Sequence, residues 1–122
     1  MLTKADPNTD LAKKILIIDD EADFCLLLRS YFTRRKYEVY FSYSLTQGLQ
    51  MLDTVHPDVV FLDNNLPDGS GWDVAEEIKS KFPGIELNLI SAYRHDPPNC
   101  NMSGIHVWEK PMQLNELSKR FA

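Results

Sequence analysis

The sequence predicts an α/β fold, a doubly wound sheet of parallel strands with helices on both faces. Three observations lead there. The runs Ile15-Leu16-Ile17-Ile18 and Val59-Val60-Phe61-Leu62 are too short for helices and show no polar alternation, which is how strands read when both faces of a sheet are covered. Between such runs lie stretches of helical periodicity, and strands joined through helical crossovers run parallel. Four of the runs also end in side chains with chemistry, Asp19-Asp20, Asp63, Ser91 and Lys110, and right-handed crossovers bring the carboxyl ends of parallel strands to one edge.

Residues 1–13 carry Pro7, Asn8 and several charges and read as a mobile lead-in, with one domain over residues 14–122. The first strand, 15–18, runs into Asp19-Asp20-Glu21. Over residues 22–33, Phe24, Leu27, Leu28, Tyr31 and Phe32 fall on one helical face, with Asp20 placed to cap the helix. Cys25 sits beside that stripe, where a half-buried thiol is expected. Residues 37–42 alternate, Val39 and Phe41 against Glu38, Tyr40 and Ser42, which suits an edge strand. Ser44 to Gln47 reads as a capping box, and Leu45, Leu49 and Leu52 form the inner stripe of a short helix. His56-Pro57 is a connector, and a loop histidine before proline is a poor candidate for a phosphoryl carrier.

Val59 to Leu62 form a buried strand, and Asp63 stands where it meets water. Pro67 lacks a backbone donor, and Gly69 and Gly71 permit a sharp turn. The chain then re-enters a helix near Trp72, opened by Ser70 or Gly71 and running to Lys81, with Val74, Ile78 and Phe82 inward and Pro83-Gly84 as the stop. Residues 87–90 are a fourth strand delivering Ser91-Ala92. From Tyr93 to Gly104 there is Pro97-Pro98 and no helical stripe, although the alternation calls for a helix. Residues 105–108 are a fifth strand, ended by Glu109-Lys110-Pro111. Leu114, Leu117 and Phe121 mark a last helix, with Pro111 near its first turn.

At 122 residues and 43% hydrophobic, the chain is long enough for one domain with a real core. Its net charge of -5 argues against a nucleic-acid-binding surface, which needs clustered Lys and Arg. The basic run Arg34-Arg35-Lys36 fits the C-terminal end of a helix. No apolar run approaches the roughly 18 to 20 residues of a membrane span, and the first residues lack the apolar segment of a signal peptide. A cytoplasmic protein without membrane or direct nucleic-acid contact is therefore expected. Cys25 and Cys100 are too few and too far apart for a disulfide framework or a zinc site.

Each polar strand end has a plain structural reading. Asp19-Asp20 is a possible helix cap, Asp63 a turn residue, Ser91 a satisfied loop hydroxyl and Lys110 a surface lysine. Their joint occurrence on one edge is what singles them out, because ligands of open α/β sheets sit there. Aspartates at hydrogen-bonding range repel one another unless a cation joins them. A divalent ion together with Lys110 neutralises three of them, and oxygen-only ligands point to Mg2+ or Mn2+. A carboxylate beside such an ion and a lysine can attack a phosphoryl group and form an acyl phosphate. Asp63 is the candidate nucleophile, Asp19 and Asp20 the metal ligands, directly or through water, Ser91 a hydroxyl donor to a phosphoryl oxygen and Lys110 a fixed positive charge.

With Asp19-Asp20-Glu21 after the first strand, Asp63 followed by Leu66-Pro67 and Gly71, Ser91-Ala92, and Lys110-Pro111, the chain resembles the receiver domain of two-component response regulators from Ile15 to Phe121. The resemblance implies a flavodoxin-like, five-stranded parallel sheet in the order 2-1-3-4-5, flanked by helices. It implies phosphorylation of Asp63 by a histidine kinase, a phosphotransfer protein or a small donor such as acetyl phosphate, and an output partner. It also implies Mg2+ held by Asp20, Asp63 and the backbone carbonyl of Asn65, with Asp19 acting through water, and a role for Asn65 and Tyr93 in tuning self-dephosphorylation. Such a domain acts on its own aspartate and is not a turnover enzyme on external substrates. Two departures stand out. The fourth helix of the family is missing or degenerate between Ser91 and Ile105, and Val107 occupies a position that usually holds Tyr or Phe.

These departures motivate an alternative, a receiver-fold binding module that signals without phosphorylation. A metal-dependent phosphatase working through an aspartyl phosphate is a further class. It would carry a second acid two residues after the nucleophile, where this chain has Asn65.

Overall fold

The computed structural model of the protein describes residues 12–91 and 104–121. Five strands form one sheet: β1 (Lys14–Ile18), β2 (Glu38–Ser42), β3 (Val59–Asp63), β4 (Glu86–Ser91) and β5 (Ile105–Glu109). Their order is β2-β1-β3-β4-β5, and every neighbouring pair is parallel. The α-helices among the described residues are α1 (Ala22–Arg34), α2 (Leu45–Val55), α3 (Ala75–Lys81) and α4 (Leu114–Arg120). This is the flavodoxin-like sheet order that the resemblance implies. The proline-broken segment, with its expected loss of a helix and its Tyr93, lies outside the described residues except for Gly104, and so do residues 1–11 of the lead-in.

Alternation along β1 explains why the run is apolar at every position. Ile15 and Ile17 face one layer, with Cys25, Leu28, Tyr31 and Phe32 of α1 and Leu117 of α4. Leu16 and Ile18 face the other, with Leu45 and Leu52 of α2 and Ala75 and Ile78 of α3. A strand buried on both faces has no polar position to spare. Phe32 centres the first layer, its ring meeting Tyr31, Tyr37, Phe61 and Phe121 at centroid distances of 5.0 to 5.8 Å. In the second layer α2 lies so close to β1 that a Cβ on Gly48 would come within 2.6 Å of the Ile18 side chain.

Several local readings need correction. Cys25 is fully buried while Leu27 is 37% exposed, so the inner face of α1 is turned toward Cys25 and Leu28. The thiol donates to the Asp19 carbonyl at 3.3 Å. Asp20 does not cap α1. Glu21 holds the cap position without a side-chain cap bond, and the carboxylate of Asp19 accepts from the Glu21 N–H at 2.8 Å. The helix after Asp63 begins as a 3-10 turn, Gly71–Val74, before α3. Pro111 precedes α4, after a cis bond from Lys110. There Gln113 and Glu116 form the capping box that starts the helix, so the first turn lies beyond the proline. His56 closes α2 in the left-handed region, φ 53°, with its N–H on the Leu52 carbonyl, which gives the connector a backbone role.

Candidate functional site

The carboxyl ends of β1, β3 and β4 lie side by side because the three strands are consecutive in the sheet. Ile18 pairs with Leu62 and Asp63 with Ile90, so Asp19, Asp63 and Ser91 leave the sheet at one level. Asp19 is anchored there by its own N–H on the Ser42 carbonyl at 3.0 Å. The Lys110 N–H donates to the Ser91 carbonyl at 2.8 Å, which ties the residue after β5 to the end of β4.

One oxygen each of Asp19, Asp20 and Asp63 lies within 4.8 Å of the other two. Asp19 and Asp63 are buried and Asp20 is exposed, so the cup is open on one side. The Lys110 ammonium is 2.9 Å from Asp19 Oδ2. It also pairs with Glu21 and lies 4.6 Å from the centroid of the Phe24 ring. Ser91 is buried at the end of β4. Asn65 is exposed, and its backbone N–H acts on the Asp63 carboxyl in the lowering direction, against the burial that raises it.

The charges are strained in the direction expected of an acidic cup. Burial, helped by the neighbouring Asp19, pushes Asp63 up to about 6. Burial also raises Asp19, against the pull of Lys110 and the Glu21 N–H. For Lys110 burial opposes the charge, but Glu21, Asp19 and Asp63 outweigh it and hold the ammonium above its ordinary range. A buried carboxylate oxygen, Asp19 Oδ2, has no aligned hydrogen bond although the ammonium is near. Three convergent oxygens, two of them on carboxylates that resist ionising alone, and the lack of sulfur or imidazole among them suit a hard divalent cation such as Mg2+.

The loop after Asp63 is closed by its own hydrogen bonds. Leu66 and Gly69 exchange N–H to carbonyl bonds at 3.2 and 3.3 Å across a tight turn. The Ser70 hydroxyl donates to the Asn64 side chain, and the Gly71 N–H donates to the Asn64 carbonyl at 3.3 Å. A Cβ on Gly71 would sit 2.2 Å from the Asp63 carbonyl oxygen, so only glycine permits that approach. The turn tip carries Asp68, whose carboxylate accepts from the Leu45 N–H at 2.7 Å, the Thr46 N–H at 2.8 Å and the Thr46 hydroxyl at 2.7 Å.

A model of the response regulator receiver domain matches residues 15–122. The chain belongs to the response regulator receiver domain family. Solved structures agree in fold. A two-component response regulator from Clostridium difficile is 23% identical, with a TM-score of 0.80 over 88% of this chain and 91% of that one. A CheY-like receiver domain from Methanospirillum hungatei is 23% identical, with a TM-score of 0.79 over 89% of this chain and 90% of that one. The response regulator TrrA from Thermotoga maritima, solved in complex with Mg2+ and beryllium fluoride, is 28% identical, with a TM-score of 0.77 over 88% of this chain and 95% of that one. Among the described residues of this receiver domain, no helix is long and apolar enough to cross a membrane.

Sequence reasoning singled out Asp19, Asp20, Asp63, Ser91 and Lys110, and the receiver fold brings all five to one edge. It passed over Glu21 as a partner of Lys110, and it placed Phe24 in the core stripe only. Glu21 follows the aspartate pair directly, which is a local signal. Asp68 had none, because its partners lie 22 and 23 residues earlier.

Proposed function

We propose that this receiver domain accepts a phosphoryl group on Asp63, in the presence of Mg2+, from a phosphohistidine of a kinase or phosphotransfer protein or from a small acyl phosphate. The observation that carries the reading is the gathering of Asp19, Asp20 and Asp63 within 4.8 Å beside an ammonium 2.9 Å from Asp19. An Asp63 oxygen attacks phosphorus, the new O–P bond forms, and the bond from phosphorus to the donor breaks with its electron pair leaving on the donor atom. The product is an acyl phosphate on Asp63. Asp19, Asp20, Asp63 and the backbone carbonyl of Asn65 are the groups that would hold the ion. Mg2+, when bound, supplies positive charge against the phosphoryl oxygens and the crowded carboxylates. Lys110 adds a second positive charge, and the Ser91 hydroxyl offers a hydrogen bond to a phosphoryl oxygen.

On this reading the domain is a signalling switch in the cytoplasm and acts on itself, with an output partner that reads the phosphorylated state. Incubation with acetyl phosphate and Mg2+ followed by intact mass measurement should add one phosphoryl group to the wild type and none to Asp63→Asn. No gain, or a gain that survives Asp63→Asn, overturns the reading.

One observation favours a second version, in which a partner binds irrespective of phosphorylation. Val107 on β5 is 49% exposed and lacks the aromatic ring through which a phosphoryl signal could reach the surface. Equal partner binding by wild type and Asp63→Asn, with and without donor, would favour this version.

A further inference from the structure

Lys110 has its ion pairs, among the described residues, with Asp19 and Glu21. The side chain is 11% exposed, and its ammonium lies on the Phe24 ring at 4.6 Å. Asp19, Glu21 and Phe24 all belong to the end of β1 and the start of α1. The ammonium is thus docked on the β1 side of the cup, although Asp63 on β3 also acts on it through space. Of these contacts Asp19 is inside the acidic cup itself. Glu21 and Phe24 lie outside it and make an additional seat, one by charge and one by the negative face of the ring.

We infer that Glu21 is a positioning residue which, with Phe24, seats Lys110 on the β1 side of the cup and competes with the phosphoryl group for its ammonium. This deepens the proposed function and rests on it. An anion arriving on Asp63 brings new acceptors for Lys110, and any contact made with them draws on the contacts that hold the ammonium to Glu21 and Phe24. The seat therefore sets how much of the phosphoryl binding energy is spent in moving the lysine. A ligand shifts such an equilibrium only by its differential affinity for the two positions. Glu21 has a side chain 60% exposed, so its share is of the size usual for a solvent-facing pair. That corresponds to roughly three- to fivefold in an affinity.

The probe is beryllium fluoride, a phosphoryl mimic, titrated at fixed Mg2+ and pH into the intact chain. Wild type should bind it and Asp63→Asn should not. If wild type does not bind, the phosphoacceptor reading fails and this inference falls with it. Given binding, Glu21→Gln should tighten it by roughly three- to fivefold, and unchanged or weaker binding overturns the inference. Removal of a negative charge could also favour an anion without any seat. Phe24→Leu separates the two, because it removes the ring and no charge, and it too should tighten binding. Tightening by Glu21→Gln alone leaves only the general field and overturns the seat. If Phe24→Leu does not fold, Phe24→Met serves the same comparison.

Discussion

The role proposed for Asp63 and its surroundings pull in opposite directions. A nucleophile must be ionised, yet burial and Asp19 push the Asp63 carboxyl up to about 6. A carboxyl raised in the folded state binds its proton more tightly there than in the unfolded chain. Its contribution to stability is therefore fully present below the ordinary value of 3.8 and is lost as pH rises through about 6. Without metal, Asp63→Asn should stabilise the protein above that pH by about 1 to 2 kcal/mol, after allowance for solvent screening at the open cup. It should also flatten the fall in stability between those two pH values. Urea unfolding of both proteins at pH 5 and pH 8 measures this, and an Asp63→Asn variant no more stable at pH 8 would refute it.

Asp68 acts between elements. The turn that follows β3 reaches the polar start of α2 through the Asp68 carboxylate, which occupies the first free N–H groups of the helix alongside Ser44, the local cap. Donors at a helix start must find acceptors somewhere, and here a distant turn supplies them. These bonds hold the carboxyl down to about 2, the Thr46 hydroxyl contributing most. Depression of a folded-state value means stability that is present above the ordinary 3.8 and disappears as pH falls through about 2. Asp68→Ala should lower stability at pH 7 and speed amide exchange at Leu45 and Thr46. Its cost should shrink in acid. Exchange at those amides left unchanged would show that the clamp does not hold α2. The sheet has its own polar tie, since the Trp108 indole donates to buried Asn88 at 2.8 Å and so links β5 to β4 inside the first layer.

At the level of the whole molecule, one sheet separates two cores, and the cup sits on its edge, outside both. The aromatic layer around Phe32 packs α1 against Phe61 of the sheet and against Phe121, which follows α4. Phe32→Ala should cost about 3 to 5 kcal/mol, as truncation of a buried aromatic ring does. If the variant still folds, its Mg2+ affinity should stay close to wild type, because the proposed metal ligands follow strand ends and lie outside that layer. Mg2+ at about a hundredfold above its Kd should in turn stabilise wild type by about 2.7 kcal/mol, and Asp20→Asn by less. Thermal unfolding with and without the ion tests both statements. A Phe32→Ala protein that is folded but blind to Mg2+ would mean that the core, and not the edge alone, shapes the cup.

Much was legible from residue order. Apolar runs without alternation in β1 and β3 require cover on both faces, and the helical stripes between them require parallel strands, so the sheet and its functional edge follow from side-chain chemistry with a period of two or of 3.6. The aspartates stand out because they follow such runs, and Lys110 because it closes the fifth strand beside Pro111. Tertiary structure alone decided the contacts across the chain. Glu21 and Phe24 meet Lys110 only when the end of β5 lies beside the start of α1, and Asp68 meets Leu45 and Thr46 only when the turn after β3 folds against α2. The rotation of α1 that buries Cys25 and exposes Leu27 was likewise set by packing against the sheet. Periodicity records which residues share a face, but the partners of a charge in a folded chain depend on distances in space that no sequence spacing encodes.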